Sequence, residues 1–79
     1  MKKEYTSKEK AVNFVSSFAE ITNDSQLAKM SAKVALKRNI KNLTFITQGM
    51  LNKGHQEVAG CLMAICLDEK DILSEVECL

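Results

Sequence analysis

Residues 25–53 read SQLAKMSAKVALKRNIKNLTFITQGMLNK, and the fold turns on whether they form one helix or two. Leu27, Met30 and Val34 share one helical face. Leu36, Ile40, Leu43 and Met50 share another, rotated by more than about 90° when each residue advances about 100°. A single straight helix would therefore carry an apolar stripe that changes sides near Ala35. Either the chain breaks around Asn39 to Asn42, or it runs on and packs against different neighbours along its length. Asparagine suits helix ends better than helix interiors, which favours the break.

On the N-terminal side, Thr6-Ser7-Lys8-Glu9 has the form of a capping box, with Thr6 as N-cap and Glu9 reaching back. Ala11, Phe14, Val15, Phe18 and Ile21, with Ala19 beside them, recur at three and four, which predicts an amphipathic helix over 7–22. Asn23-Asp24-Ser25 supplies turn and cap residues, with Asn23 and Gln26 as the next box. On the C-terminal side, Lys53-Gly54 reads as a helix end, a cation in the last turn followed by a left-handed glycine. Gly49, inside the pattern, reads as a point of close helix approach. The next helix begins near His55 or Gln56, with Glu57 in its first turn. Val58, Leu62, Ile65, Ile72, Val76 and Leu79 then follow a four-three spacing in which Glu69 is a defect. This segment is one long helix, or two divided at Leu67-Asp68 with Asp68 as the second cap.

The chain has no proline and three glycines, which favours helices over a turn-rich β architecture. The expected fold is all-α: one domain over 1–79, a compact up-and-down bundle of three to five short helices, with residues 1–6 frayed. The first helix and the run Val58–Leu67 are expected to supply most of the core.

Charge is sorted along the chain, and the step falls at Gly54. Residues 1–54 carry ten basic and four acidic side chains, whereas residues 55–79 carry one and six. A chain polarised in this way can close on itself, pair with copies of itself or offer one sign of charge to a partner. The composition, 46% hydrophobic and 27% charged, is that of a globular chain. At 79 residues it has little room for a buried catalytic cleft.

Lys29, Lys33, Lys37 and Lys41 recur every four residues with Arg38 alongside, a slanting positive stripe on a helix. Phosphates or an acidic protein face would bind it, and so would water alone, because no aromatic side chain interleaves for base stacking. Gln26-Leu27-Ala28 before a basic stretch resembles the opening of a helix-turn-helix, but no turn former stands where its helices would bend. Val58–Leu67 is apolar on every side, so it is either the central helix of the bundle or is covered by a second chain.

The acidic stretch Asp68, Glu69, Asp71, Glu75 and Glu77 lacks the glycine turn and ligand alternation of a calcium loop and reads as a solvated helix face. His55, Cys61, Cys66 and Cys78 match no zinc spacing, and no metal or other cofactor is expected. Cys61 and Cys66 point about 140° apart on a helix, so the cysteines are expected as free, buried thiols in a reducing compartment. There is no nucleophile elbow and no phosphate-binding glycine loop. No apolar run is long enough to span a bilayer, and the expected location is the cytoplasm. Asn42 to Leu67 resembles a tetratricopeptide hairpin in placing Gly54 between two helices, Ala59 five residues on and Met63 after it. It lacks that family's aromatic residues and closing proline, and reads as a generic helical hairpin.

The expected function is that of a small non-enzymatic interaction protein, an adaptor, chaperone or inhibitor, binding a protein partner through a helical face. Val58, Leu62, Ile65, Ile72 and Val76 are the candidate oligomer or core residues. The alternatives are a nucleic-acid-binding regulator using Lys29, Lys33, Lys37, Arg38 and Lys41, and a structural homo-oligomer subunit.

Overall fold

The computed structural model describes residues 5–79. They form three α-helices, α1 (Ser7–Thr22), α2 (Ser25–Asn52) and α3 (Gln56–Cys78), with no strand among the described residues. The expected fraying of residues 1–6 falls mostly on residues outside that range; Tyr5 and Thr6 precede α1. The chain is all-α, but two of its helices are long, at 28 and 23 residues, where short ones were expected.

Each helix end has a local cause. Thr6 is extended, and its Oγ1 accepts from the Glu9 N–H at 3.2 Å. The Glu9 carboxylate does reach back, but it accepts from the Thr6 hydroxyl, also at 3.2 Å. At the other end of α1, Asn23 takes φ 56° and donates its N–H to the Ala19 carbonyl at 2.8 Å. Asparagine visits this left-handed region more readily than other non-glycine residues. The cap of α2 is therefore Asp24, not Asn23: its Oδ1 accepts from the Gln26 and Leu27 N–H groups at 3.0 and 3.2 Å.

Helix α2 runs unbroken through Asn39 to Asn42, contrary to the expected break. The stripe that holds it in place never changes sides. Ala28, Ala32, Leu36 and Thr47 are buried, and Ile40, Leu43 and Met50 are half-buried. These residues are spaced by threes and fours along one face. Leu27, Met30 and Val34, which suggested a second face, point to solvent. The N-terminal half of α2 packs through alanines, so its large apolar residues were misleading guides to its inner side.

Gly54 closes α2 with φ 83°, donating to the Leu51 carbonyl at 3.0 Å while His55 donates to the Met50 carbonyl at 2.9 Å. This pair of bonds is a Schellman motif. A Cβ at Gly54 would meet nothing within 4 Å, so the backbone angle alone calls for glycine there. Gly49 also has open space around it and marks no close approach, correcting that expectation. Helix α3 is continuous, with Asp68 in its interior and not at a cap. The Asp68 carboxylate accepts from Lys10 Nζ at 3.1 and 3.2 Å, tying α3 to α1.

Helices α2 and α3 form an antiparallel hairpin: Thr44 and Ile40 meet Cys66, and Asn39 meets Glu69. Helix α1 lies across the end of the hairpin away from the turn. The core there is Ala11, Ala32, Leu36 and Val76, flanked by Phe14, Val15, Phe18, Ile72 and Leu73. Phe14 and Phe18 meet edge to face at 5.2 Å. Val76 is the largest fully buried side chain. Ile21, placed on the inner face by its spacing, is 84% exposed at the end of α1.

The run Val58–Leu67 is not a core helix. Within it only Ala59 and Cys66 are buried and Leu62 is half-buried. The reason is length: the 16 residues of α1 cover the C-terminal half of α3 and stop. As a result the chain exposes 6041 Å². A compact monomer of this mass exposes about 4,800 Å². Its radius of gyration is 14.4 Å, against about 11.6 Å for a compact domain of this length.

Two substitutions test this arrangement. Val76→Ala should lower the free energy of unfolding by about 1.5–3 kcal/mol in urea titration, and a loss below about 0.5 kcal/mol would mean Val76 is not the buried centre. Asn42→Ala, on the exposed side of a continuous α2, should raise stability by about 0.5 kcal/mol. A destabilisation there would restore the broken-helix reading.

Candidate functional site

The hairpin has two faces, and α1 occupies part of one. On that face, Phe14, Leu36 and Ile72 surround a depression that ends at Glu69. Beyond Glu69 it continues, uncovered, between Leu43, Ile46 and Ile65. The opposite face has no third helix at all. There the C-terminal half of α2 and the N-terminal half of α3 enclose a groove of about 320 Å³. Leu51, Met63 and Leu67 wall it, with Thr47 and Cys66 among its lining. Its rim is polar, with Gln48 and Lys70. Thr44 also borders it; its hydroxyl donates to the Ile40 carbonyl at 2.8 Å and lies 3.7 Å from Cys66 Sγ. Thr47 is 7% exposed, and its Oγ1 is buried without a hydrogen-bond partner. An unpaired buried hydroxyl is uncommon and costly.

None of the lysine stripe lines this groove; Lys29 and Lys33 border a separate depression with Val15 of α1 and Leu79. Four residues on a helix advance about 400°, so the series drifts by about 40° at each step. Lys29 and Lys33 are half-buried on the flank of the inner stripe, and Lys37, Arg38 and Lys41 are exposed. Among the described residues none of the five lies within 4 Å of a carboxylate; the ion pair present is Lys10–Asp68. Arg38 belongs to a different surface, an outer depression with Leu27, Met30 and Val34. The expected stripe is therefore one continuous band, with Arg38 beside it facing outward.

The seam expected on α3 is divided. Val76 is buried and Ile72 half-buried beneath α1, and Leu62 is half-buried against α2. Val58 and Ile65 are exposed, Ile65 on the uncovered continuation of the seat of α1. The true inner face of α3 runs through Ala59, Leu62, Cys66, Glu69, Leu73 and Val76. Glu69 keeps its place in the seam because Asn39 donates to its Oε1 at 3.5 Å. Its Oε2 is buried without a partner.

Cys66 is buried, but Cys61 and Cys78 are exposed, correcting the expectation that all three thiols are core residues. His55 is exposed and precedes α3, making no capping hydrogen bond with its side chain. Among the described residues no three His, Cys, Asp or Glu side chains converge on one point. In that same range no helix is long and apolar enough to cross a membrane. The groove residues Thr47, Leu51 and Met63 were not picked out as a site from the sequence. For Met63 the signal is the all-round apolarity of Val58–Leu67, which the sequence leaves open between a central helix and one covered by a second chain. Phe45, 81% exposed on the outer surface of α2, is a further apolar residue the sequence reading did not place. Comparison with protein-family models, with curated proteins and with solved structures finds no match to this chain.

Proposed function

We propose that this chain is a non-enzymatic protein-interaction module that binds through the hairpin face opposite α1. The observation that carries the reading is the uncovered groove of Leu51, Met63 and Leu67, the last of them 61% exposed. Scattered apolar side chains on a surface need no explanation, but contiguous ones between two helices are the usual mark of a docking surface. A helix laid in such a groove would bury them and complete a three- or four-helix layer. The polar rim of Gln48 and Lys70 suits the periphery of an interface, where charge sets orientation more than affinity.

Immobilised wild-type chain, exposed to extract of the cells that make it, should retain a stoichiometric protein at physiological salt. The double substitution Met63→Glu/Leu67→Glu should abolish that retention while leaving helical circular dichroism unchanged. Retention that survives the double substitution would remove this face from the reading. A parallel titration with duplex DNA and with RNA at low salt decides against the nucleic-acid alternative if no binding occurs. Salt-sensitive binding that is lost on Lys37→Glu/Lys41→Glu, and is unaffected by the groove substitutions, would put that alternative in its place.

A further inference from the structure

We infer that the partner of this groove is an amphipathic helix with one acidic end, and that this end lies over Lys37, Lys41 and Lys70. The inference rests on the interaction reading above and specifies the chemistry of its partner.

Length is the first argument. The lining of the groove runs from Leu51 back to Thr44 on α2 and from Met63 on to Lys70 on α3, seven residues along each helix. Seven helical residues rise about 10.5 Å. A guest helix presenting apolar side chains at i, i+4 and i+7 covers the same distance. Its apolar face meets Leu51, Met63 and Leu67, all exposed in the free chain.

Charge is the second argument. Among the described residues, Lys70 is the charged side chain lining the groove, and no carboxylate lines it. Two further lysines stand just beyond that end. Lys37 precedes Thr44 by seven residues and Lys41 precedes Gln48 by seven, so each lies within about 20° of a groove residue around α2. Asn39 meets Glu69 across the antiparallel hairpin, which sets Lys70 at a level between Lys37 and Lys41. All three lysines are exposed, and none lies within 4 Å of a carboxylate among the described residues.

The acids of α3 leave this end positive. Asp68 is held by Lys10 of α1, and Glu69 is turned into the seam toward Asn39. Asp71 lies about 100° around the helix from Lys70, and Glu77 lies about 10.5 Å farther along it. The other end of the groove, beside the hairpin turn, is neutral. Its rim residue is Gln48, whose side chain donates to Asn52 at 3.0 Å. Lys53 lies about 200° around α2 from Leu51, away from the groove. The groove is thus apolar along its length and positive at one end. A guest with carboxylates at one end is aligned by that difference, and its apolar contacts supply the affinity.

Two synthetic peptides of about 15 residues, with capped ends and leucine at i, i+4 and i+7, test the inference. One carries glutamates in its last turn and the other lysines at the same positions. Lysine in the last turn favours a free helix more than glutamate does, so a preference for the glutamate peptide reports the groove. In fluorescence anisotropy at low salt, the wild-type chain should bind the glutamate peptide about tenfold or more tightly than the lysine peptide. Lys37→Glu/Lys41→Glu/Lys70→Glu should reverse that preference, and Met63→Glu/Leu67→Glu should abolish binding of both. A nitroxide at the acidic end of the peptide should broaden the amide resonances of Lys41 and Lys70 and spare those of Leu51 and Asn52. Circular dichroism reports that each variant is folded. Equal affinities, preference for the lysine peptide, a label that broadens the turn end, or no binding at a few hundred micromolar would each overturn the inference. A chain that binds neither peptide, yet captures a protein or pairs with its own copy through Met63 and Leu67, loses only the acidic-helix assignment. One that does none of these loses the interaction reading as well.

Discussion

A 16-residue helix is about 24 Å long and a 23-residue helix about 35 Å, so α1 is only about two-thirds as long as α3 and shorter still beside α2. Its position within that length is fixed by two contacts. At its N-terminal end Lys10 holds Asp68, and Phe14 and Phe18 pack over Leu36 and Val76 nearer the chain ends. Helix α1 therefore sits over the C-terminal half of α3, and the turn end of the hairpin is left as two helices without a third. Apolar residues there, Leu51, Met63, Leu67, Val58 and Ile65 among them, are exposed because no element of the described chain reaches them. The exposure of Ile65 and the extended shape follow from this difference in helix length, whereas the groove of Leu51, Met63 and Leu67 is open because no helix packs on that face.

The closeness of the covered half depends on alanine. Ala11, Ala28 and Ala32 there, and Ala59 near the hairpin turn, are each fully buried, and small side chains let helix backbones approach. A core of this kind buries little apolar surface per residue, and about 25 cal/mol per Å² of burial is all it has to set against chain entropy. Val76, Leu36 and the Phe14–Phe18 pair supply most of the large buried area. Covering the open face would add a contribution of the same kind that a 79-residue chain otherwise lacks.

The helix ends were legible in the sequence because each is a local event. Thr6 and Gly54 act where their neighbours indicate, and α1 spans the expected 7–22. The Asn23–Asp24 pair was legible as a boundary but not in its division of labour. Both residues cap well, and only the backbone decides which one takes the left-handed angle. What could not be read was the inner face of α2, because hydrophobic size and burial run in opposite directions along its first half. Ala28 and Ala32 are buried while Met30 and Val34 are exposed. A periodicity analysis weighted by side-chain size follows the wrong pair and then needs a break near Asn39 to correct itself. The seam of α3 failed for a related reason. Val58 and Ile65 lie one helical position away from Ala59 and Cys66, and the larger residues again drew the reading toward the open side.

The step in charge at Gly54 separates α2 from α3, two helices that already lie against each other. Opposite charges on neighbouring helices ordinarily pair across the seam, but here the seam is filled by Leu36, Ile40, Leu43 and Cys66. Among the described residues the lysines of the stripe lie within 4 Å of no carboxylate. Chain closure therefore makes little use of the polarity. Among the described residues the pairing that exists, Lys10 with Asp68, comes from α1, and with side chains 39% and 47% exposed it contributes modestly.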